Sequence, residues 1–273
     1  MLTQSEKGRA FRALHQRDRA FIIPNPWDAG TARLLEHLGF EALATTSAGY
    51  AFSVGQRDGT IDRDATIAHA AAIVSATDLP VSADLENGFG DTSASVAETI
   101  QLASEAGLVG GSIEDVSGHA DLAVYELELA ADRVRAAAEV VRNLSFPFIL
   151  TARAENYLVG RPDLKDTIAR LQAYQEAGAD VLYAPGLSSK ADIATVVSSV
   201  DRPLNVVMGL QGVQLSLAEL SAMGVRRVSV GSALSRAALG AFLRAAKEMR
   251  EHGTFAFAAE AVSYRDLNAM FKG

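Results

Sequence analysis

Eight short apolar runs, each set off from the next by sequence with room for a helix, constrain this chain more than any other feature. They read FIIPN (21–25), EALATTS (41–47), PVSADLE (80–86), GGSIEDV (110–116), PFILTARAE (147–155), ADVLYAPG (179–186), PLNVVMG (203–209) and RRVSVG (226–231). Between them lie stretches such as DAGTARLLEHLG, RDATIAHAAAIVSA, SASVAETIQLASEAG and LKDTIARLQAYQEAG. In the last, Ile168, Leu171, Gln172 and Gln175 follow helical spacing with the apolar positions toward one face. EAGLVGGSIE and EAGADVLYAP repeat one pattern, a helix that ends at glycine and turns tightly into a strand. Eight such alternations within about 230 residues predict an α/β chain folded as a single (β/α)8 TIM barrel. The rival is a doubly wound open sheet. The count of eight and the lack of GxGxxG after the first run favour the barrel. No linker or low-complexity tract interrupts residues 1–273, so one domain is expected.

The chain continues past the eighth strand and its helix. Residues 254–273, TFAFAAEAVSYRDLNAMFKG, read as one more helix carrying Phe255, Phe257, Tyr264, Met270 and Phe271. A closed barrel has no ninth strand for that face to cover. It either folds back on the barrel wall or packs on a second subunit.

Composition removes several classes of function. The 273 residues contain no cysteine, which excludes disulfides, thiolate metal sites and thiol nucleophiles. The net charge of −8 and the lack of a basic cluster argue against nucleic acid as a partner. No apolar run approaches a membrane span, and the N-terminus MLTQSEKGRAFRAL has no signal-peptide core. A cytoplasmic protein with no membrane partner is expected.

In a barrel of this kind active sites lie at the C-terminal ends of the strands. Strand side chains alternate between two faces. Ser82, Asp84 and Glu86 share one face of the third run, Ser112 and Glu114 one face of the fourth, and Thr151, Arg153 and Glu155 one face of the fifth. These polar faces converge on the barrel mouth. Asp84, Glu86 and Glu114 there form a cluster of like charges that repel, hold a proton, or take up a hard cation. Mg2+ uses one or two carboxylates and keeps several waters. Asp84 could therefore bind the ion directly, with Glu86 and Glu114 holding its waters. Arg153 supplies a fixed positive fork for a carboxylate or phosphonate. The plainer reading is a set of solvated strand-end charges, or ion pairs with Arg153.

At these residues the sequence resembles the phosphoenolpyruvate mutase/isocitrate lyase superfamily. Five stretches carry the resemblance in order: NPWDAGTARLLEHLGFEALATTSAG, VGQRDGT, SADLENGFG, GGSIEDV and LTARAENYLVGR. The resemblance implies a Mg2+-dependent (β/α)8 barrel, with Mn2+ as a substitute. It also implies a homotetramer whose last helix is exchanged between paired subunits. Members act on 2-oxo or 2-hydroxy acids through enolate-like intermediates, making or breaking C–C or P–C bonds. By position, the resemblance makes Asp84 the metal ligand, with Glu86 and Glu114 acting through water. It gives Arg153 the substrate carboxylate, and Thr46, Ser47 and Ala48 the oxoacid pocket. Asp58 would sit near the metal or the reacting group.

The sequence departs from the family pattern at two informative places. Isocitrate and methylisocitrate lyases carry a KKCGH loop, where this chain has Val116-Ser117-Gly118-His119-Ala120 and no cysteine anywhere. The lysine and asparagine of the mutase gating loop are absent too, although Asp58 stands where the mutases place their nucleophile. His119 is the acid candidate in the loop 116–125, since a histidine can donate a proton near neutral pH. Asn205, ending the seventh run, could touch a substrate tail. The expectation is a Mg2+-dependent lyase that cleaves a C–C bond of a small 2-oxo or 2-hydroxy di- or tricarboxylate, in the manner of oxaloacetate decarboxylase or 2-methylisocitrate lyase. The alternatives are P–C chemistry on a phosphonopyruvate-like substrate, and a 2-oxoacid-binding protein without turnover.

Overall fold

The computed structural model describes residues 2–119, 122–210 and 214–271. Each of the eight apolar runs contains a strand. The strands are β1 (Phe21–Ile23), β2 (Leu43–Ala44), β3 (Val81–Asp84), β4 (Gly110–Glu114), β7 (Ile149–Arg153), β8 (Val181–Tyr183), β9 (Leu204–Val207) and β10 (Arg227–Ser229). They pair in parallel in the order β1-β10-β9-β8-β7-β4-β3-β2. The Ala44 N–H donates to the Pro24 carbonyl at 3.1 Å, which brings the first and second strands together. Asn25 completes the seam: its Nδ2 donates to Thr45 O, and its Oδ1 accepts from the N–H groups of Val230 and Gly231. Eight parallel strands in a nearly closed ring, with helices between them, form a (β/α)8 barrel.

The outer helices are α2 (Ala29–His37), α3 (Ser47–Ser53), α4 (Arg63–Ala76), α5 (Ser93–Glu105), α6 (Leu127–Asn143), α7 (Leu164–Ala177), α8 (Lys190–Ser199), α9 (Leu217–Ala222) and α10 (Ala233–His252). Most begin at a side chain that accepts from a first-turn N–H, among them Asp28, Asp62, Thr92, Asp163 and Ser189. The main core lies between these helices and the outward strand faces, where Leu43, Ala83, Leu85, Ile113, Leu150 and Leu182 are buried.

A further helix, α1 (Gln4–His15), precedes the first strand. It packs at the strands' N-terminal end, where Phe11 and Leu14 join Phe21, Ile23, Val109, Ile149 and Val181 in a second apolar cluster. Its approach is close: a Cβ at Gly8 would collide with the Pro147 carbonyl oxygen. The opposite end of the barrel stays open.

Two segments differ from expectation. The gating-loop stretch forms an antiparallel hairpin of β5 (Val116–His119) and β6 (Leu122–Val124), and Ala120 lies outside the described residues. Residues 254–271 are not one helix. They form a 3-10 turn (Ala256–Glu260) and a short α11 (Tyr264–Met270), because Ser263 starts a new helix by accepting from the Asp266 N–H. α11 lies beside α2. Phe255 and Tyr264 nevertheless stay 66% and 86% exposed, so neither is covered by the barrel wall. On α10, Phe242 and Leu243 are also exposed.

Candidate active site

At the open end the inward strand faces enclose a cavity of about 180 Å3. Its lining includes Thr46, Ser47, Ala48, Asp58, Asp84, Arg153 and Asn205, all singled out from the sequence. Glu86, Glu114 and His119 are not among the lining residues.

Arg153 occupies the centre of the acidic cluster. Its Nη1 donates to Asp84 Oδ1 at 2.9 Å, its Nη2 pairs with Glu114 at 3.0 Å, and its Nε donates to Glu155 Oε1 at 2.7 Å. The sequence offered this fork either for a ligand carboxylate or phosphonate or for ion pairs with the neighbouring acids; every nitrogen of the guanidinium faces a protein carboxylate, as the ion-pair reading has it. The reason is strand register: Arg153 lies beside Glu114 on the neighbouring strand, and both point inward. Glu155 is nearly fully buried, and its N–H donates to Asp115, itself held by Tyr174 and Arg170.

One arginine does not balance the acids around it. Burial, Glu155, Asp84 and Glu86 outweigh Arg153 and raise the Glu114 carboxyl well above the ordinary range. Burial, then the charges of Asp84 and Asp58, push Glu86 up to about 7. Burial also raises Asp58, against a hydrogen bond from the Ser47 side chain. Glu86 sits at a left-handed φ of 48° in the turn after β3, and Phe89 at 58°. Non-glycine residues rarely hold such angles unless their surroundings enforce them. Here Arg133 does so: it stacks 4.2 Å over the Tyr125 ring and donates to the carbonyls of Asn87 and Gly90.

Asp84 is oriented by its neighbours at the cavity wall. Its N–H donates to Thr45 Oγ1, and its Oδ2 accepts from the Ser47 N–H at 3.3 Å. Among the described residues no group of three or more His, Asp or Glu side chains is arranged to hold a metal by itself. The donor set still fits Mg2+. It offers hard oxygens on Asp84 at a polar cavity, excess negative charge close by, and room for the waters that this ion retains.

His119 lies on the β5–β6 hairpin, more than half exposed, with its Nε2 2.9 Å from Asp91 Oδ2. Asp91 also accepts from the Tyr125 hydroxyl at 2.6 Å. The structure therefore does not bring His119 to the cavity. Sequence reading missed Asn25, Tyr183, Arg227 and Ser229, which also line the cavity. Strand alternation was the available signal: Arg227, Asn205, Tyr183 and Arg153 are register neighbours on four adjacent strands.

Residues 11–250 match the family described as phosphoenolpyruvate phosphomutase. The chain belongs to that family, within the phosphoenolpyruvate mutase/isocitrate lyase superfamily of enzymes. A crystal structure of a putative lyase/mutase from Burkholderia cenocepacia J2315 is 65% identical, covers 99% of this chain and 97% of its own, and superposes with a TM-score of 0.97. A probable 2-methylisocitrate lyase of Corynebacterium glutamicum is 28% identical over 256 residues, 90% of this chain and 82% of that protein. The structure of oxaloacetate acetylhydrolase with its product oxalate is 26% identical at a TM-score of 0.87, covering 98% of this chain and 94% of its own.

Proposed function

We propose that this protein is a Mg2+-dependent lyase that cleaves a C–C bond of a small 2-oxo or 2-hydroxy di- or tricarboxylate through an enolate. The observation that carries the reading is Asp84: an oriented carboxylate on the cavity wall, surrounded by more acid than Arg153 can neutralise. The relatives that act on methylisocitrate and oxaloacetate support the substrate class. Asp84 would ligate the ion directly, with Glu86 and Glu114 holding its waters. Mg2+ there would stabilise negative charge developing on the substrate's 2-oxygen. Thr46, Ser47 and Ala48 would position the oxoacid, and Arg153 would hold Asp84 in place while bordering the substrate carboxylate. With no cysteine in the chain, protonation by a loop cysteine is excluded. An oxaloacetate-type cleavage, which needs no such acid, ranks above isocitrate cleavage.

A second reading, P–C bond chemistry, is favoured by one observation: Asp58 lines the same cavity. Subunit exchange of the C-terminal segment, within a homotetramer, accounts for the exposed Phe242, Leu243, Phe255 and Tyr264. No helix among the described residues is long and apolar enough to cross a membrane, and we place the enzyme in the cytoplasm.

The test is NMR of the protein with oxaloacetate, 2-methylisocitrate, 2,3-dimethylmalate and phosphonopyruvate, each with Mg2+ and with EDTA. Mg2+-dependent product from one of the first three is expected. Product from phosphonopyruvate alone, lost in Asp58→Ala, would establish the second reading instead. Turnover that is unchanged in EDTA would rule out the metal-dependent mechanism.

A further inference from the structure

Breaking a C–C bond to leave an enolate creates a carbon that must then take up a proton. The site therefore needs a proton donor as well as groups that hold charge. Most acids near the cavity are unsuited to it. The chain has no cysteine. His119 is held on the hairpin by Asp91, and neither His119 nor Glu86 nor Glu114 lines the cavity. Asp84 is tied to Arg153. Asp58 is engaged as an acceptor by the Ser47 side chain and the Gly59 N–H. The serine and threonine hydroxyls on the wall are far weaker acids than a phenol.

Tyr183 is the phenol on that wall. It ends β8, with Arg153 beside it on β7 and Asn205 on β9. Its hydroxyl has no hydrogen bond of ordinary geometry among the described residues. Nor is it one of the buried side-chain atoms left without a partner, which are His15 Nε2, Asn156 Oδ1 and Arg227 Nη1. The hydroxyl of this partly buried residue therefore keeps accessible surface, and the space its side chain borders is the cavity.

Two neighbours are placed to hold the charge left when the phenol gives up its proton. Arg153 Cζ lies 5.2 Å from the centre of the ring. The other is the Ser229 hydroxyl. Arg227 Nε donates to Asn205 Oδ1 at 2.8 Å, which fixes the amide so that its Nδ2 donates to Ser229 Oγ at 3.0 Å. The serine accepts there and keeps its own proton to give. Burial, with the charges of Glu155 and Asp84, pushes the phenol up to about 12 against Arg153 and Ser229. Tyr183 is therefore protonated at neutral pH.

We infer that Tyr183 is the proton donor of this site. This role rests on the lyase reading in its oxaloacetate form. The electron pair of the C3–C4 bond of oxaloacetate passes into the enolate as CO2 leaves. The enolate then uses a pair to bond C3 to the Tyr183 proton. The O–H electrons stay on the phenolate, and the product is pyruvate. The phenolate recovers its proton from solvent, so each turnover consumes one solvent proton, as decarboxylation requires.

The experiment follows CO2 and pyruvate separately while the wild type, Tyr183→Phe and Asp58→Asn act on oxaloacetate with Mg2+, each against a blank without enzyme. Lactate dehydrogenase reads pyruvate but not its enol. Phenylalanine keeps the ring, so Tm should change little. In the wild type the two products should appear together. In Tyr183→Phe CO2 release should persist while pyruvate lags, because the enol leaves and ketonises in water. Its initial rate of appearance should fall about a hundredfold or more. In Asp58→Asn the two should stay in step at whatever rate remains. A merely structural role for Tyr183 would slow both products equally, and that result would overturn the proposal. A lag in Asp58→Asn alone would overturn it in favour of Asp58. Wild-type CO2 release no faster than the blank is a different failure: it would overturn the oxaloacetate reading and this role with it.

Discussion

Asp84→Asn is expected to lower Mg2+-dependent turnover by roughly a thousandfold or more, because a metal's contribution to charge stabilisation is several kcal/mol. The barrel should remain folded. Asparagine matches aspartate in size, and its amide oxygen can still accept from Arg153, which keeps Glu114 and Glu155 as partners. The Ser47 N–H contact is long at 3.3 Å and contributes little when lost. Circular dichroism and Tm establish folding, and NMR of product formation establishes turnover. Turnover within tenfold of wild type would mean that Asp84 does not carry the metal.

Arg153→Met is expected to have the largest effect on stability. It strands Asp84, Glu114 and Glu155 around one apolar side chain, and removing one partner of a buried ion pair costs about 3–5 kcal/mol. The loss should depend on pH in a defined direction. Burial already raises Glu114 and Glu155 above the ordinary glutamate value, and Arg153 opposes that rise. Without the arginine both carboxyls hold their protons more tightly in the folded than in the unfolded state. Between the ordinary value of 4.5 and the raised folded value, the folded state binds more protons, so stability falls as pH rises. The variant should approach wild-type stability near pH 5 and be most destabilised near pH 8. Urea unfolding at both pH values measures this. A deficit that is equal at the two, or larger in acid, would contradict the buried cluster.

The barrel was legible because its strands are short, apolar on the helix-facing side, and separated by helix-length sequence. The convergence of Asp84 and Arg153 was legible for a related reason, since polar residues alternate with apolar ones up to those strand ends, whereas Thr46, Ser47 and Asp58 came from the family resemblance. What escaped depends on contacts between distant segments. α1 precedes the first strand, and only the folded barrel shows that Phe11 packs at its N-terminal end. The break at Ser263 is a local cap that an apolar count passes over. Alternation marks Arg153 as inward but cannot say that three carboxylates meet it. Arg227 was open to the same alternation, as the register neighbour of Asn205, but it begins its strand rather than ending it.

We propose that Asp84 anchors a divalent ion on which turnover depends. Electron paramagnetic resonance of Mn2+ titrated into the metal-free protein tests it most directly. One bound Mn2+ per chain is expected, displaced by Mg2+ and absent from Asp84→Asn. Equal Mn2+ binding by wild type and Asp84→Asn, or none by either, would contradict it.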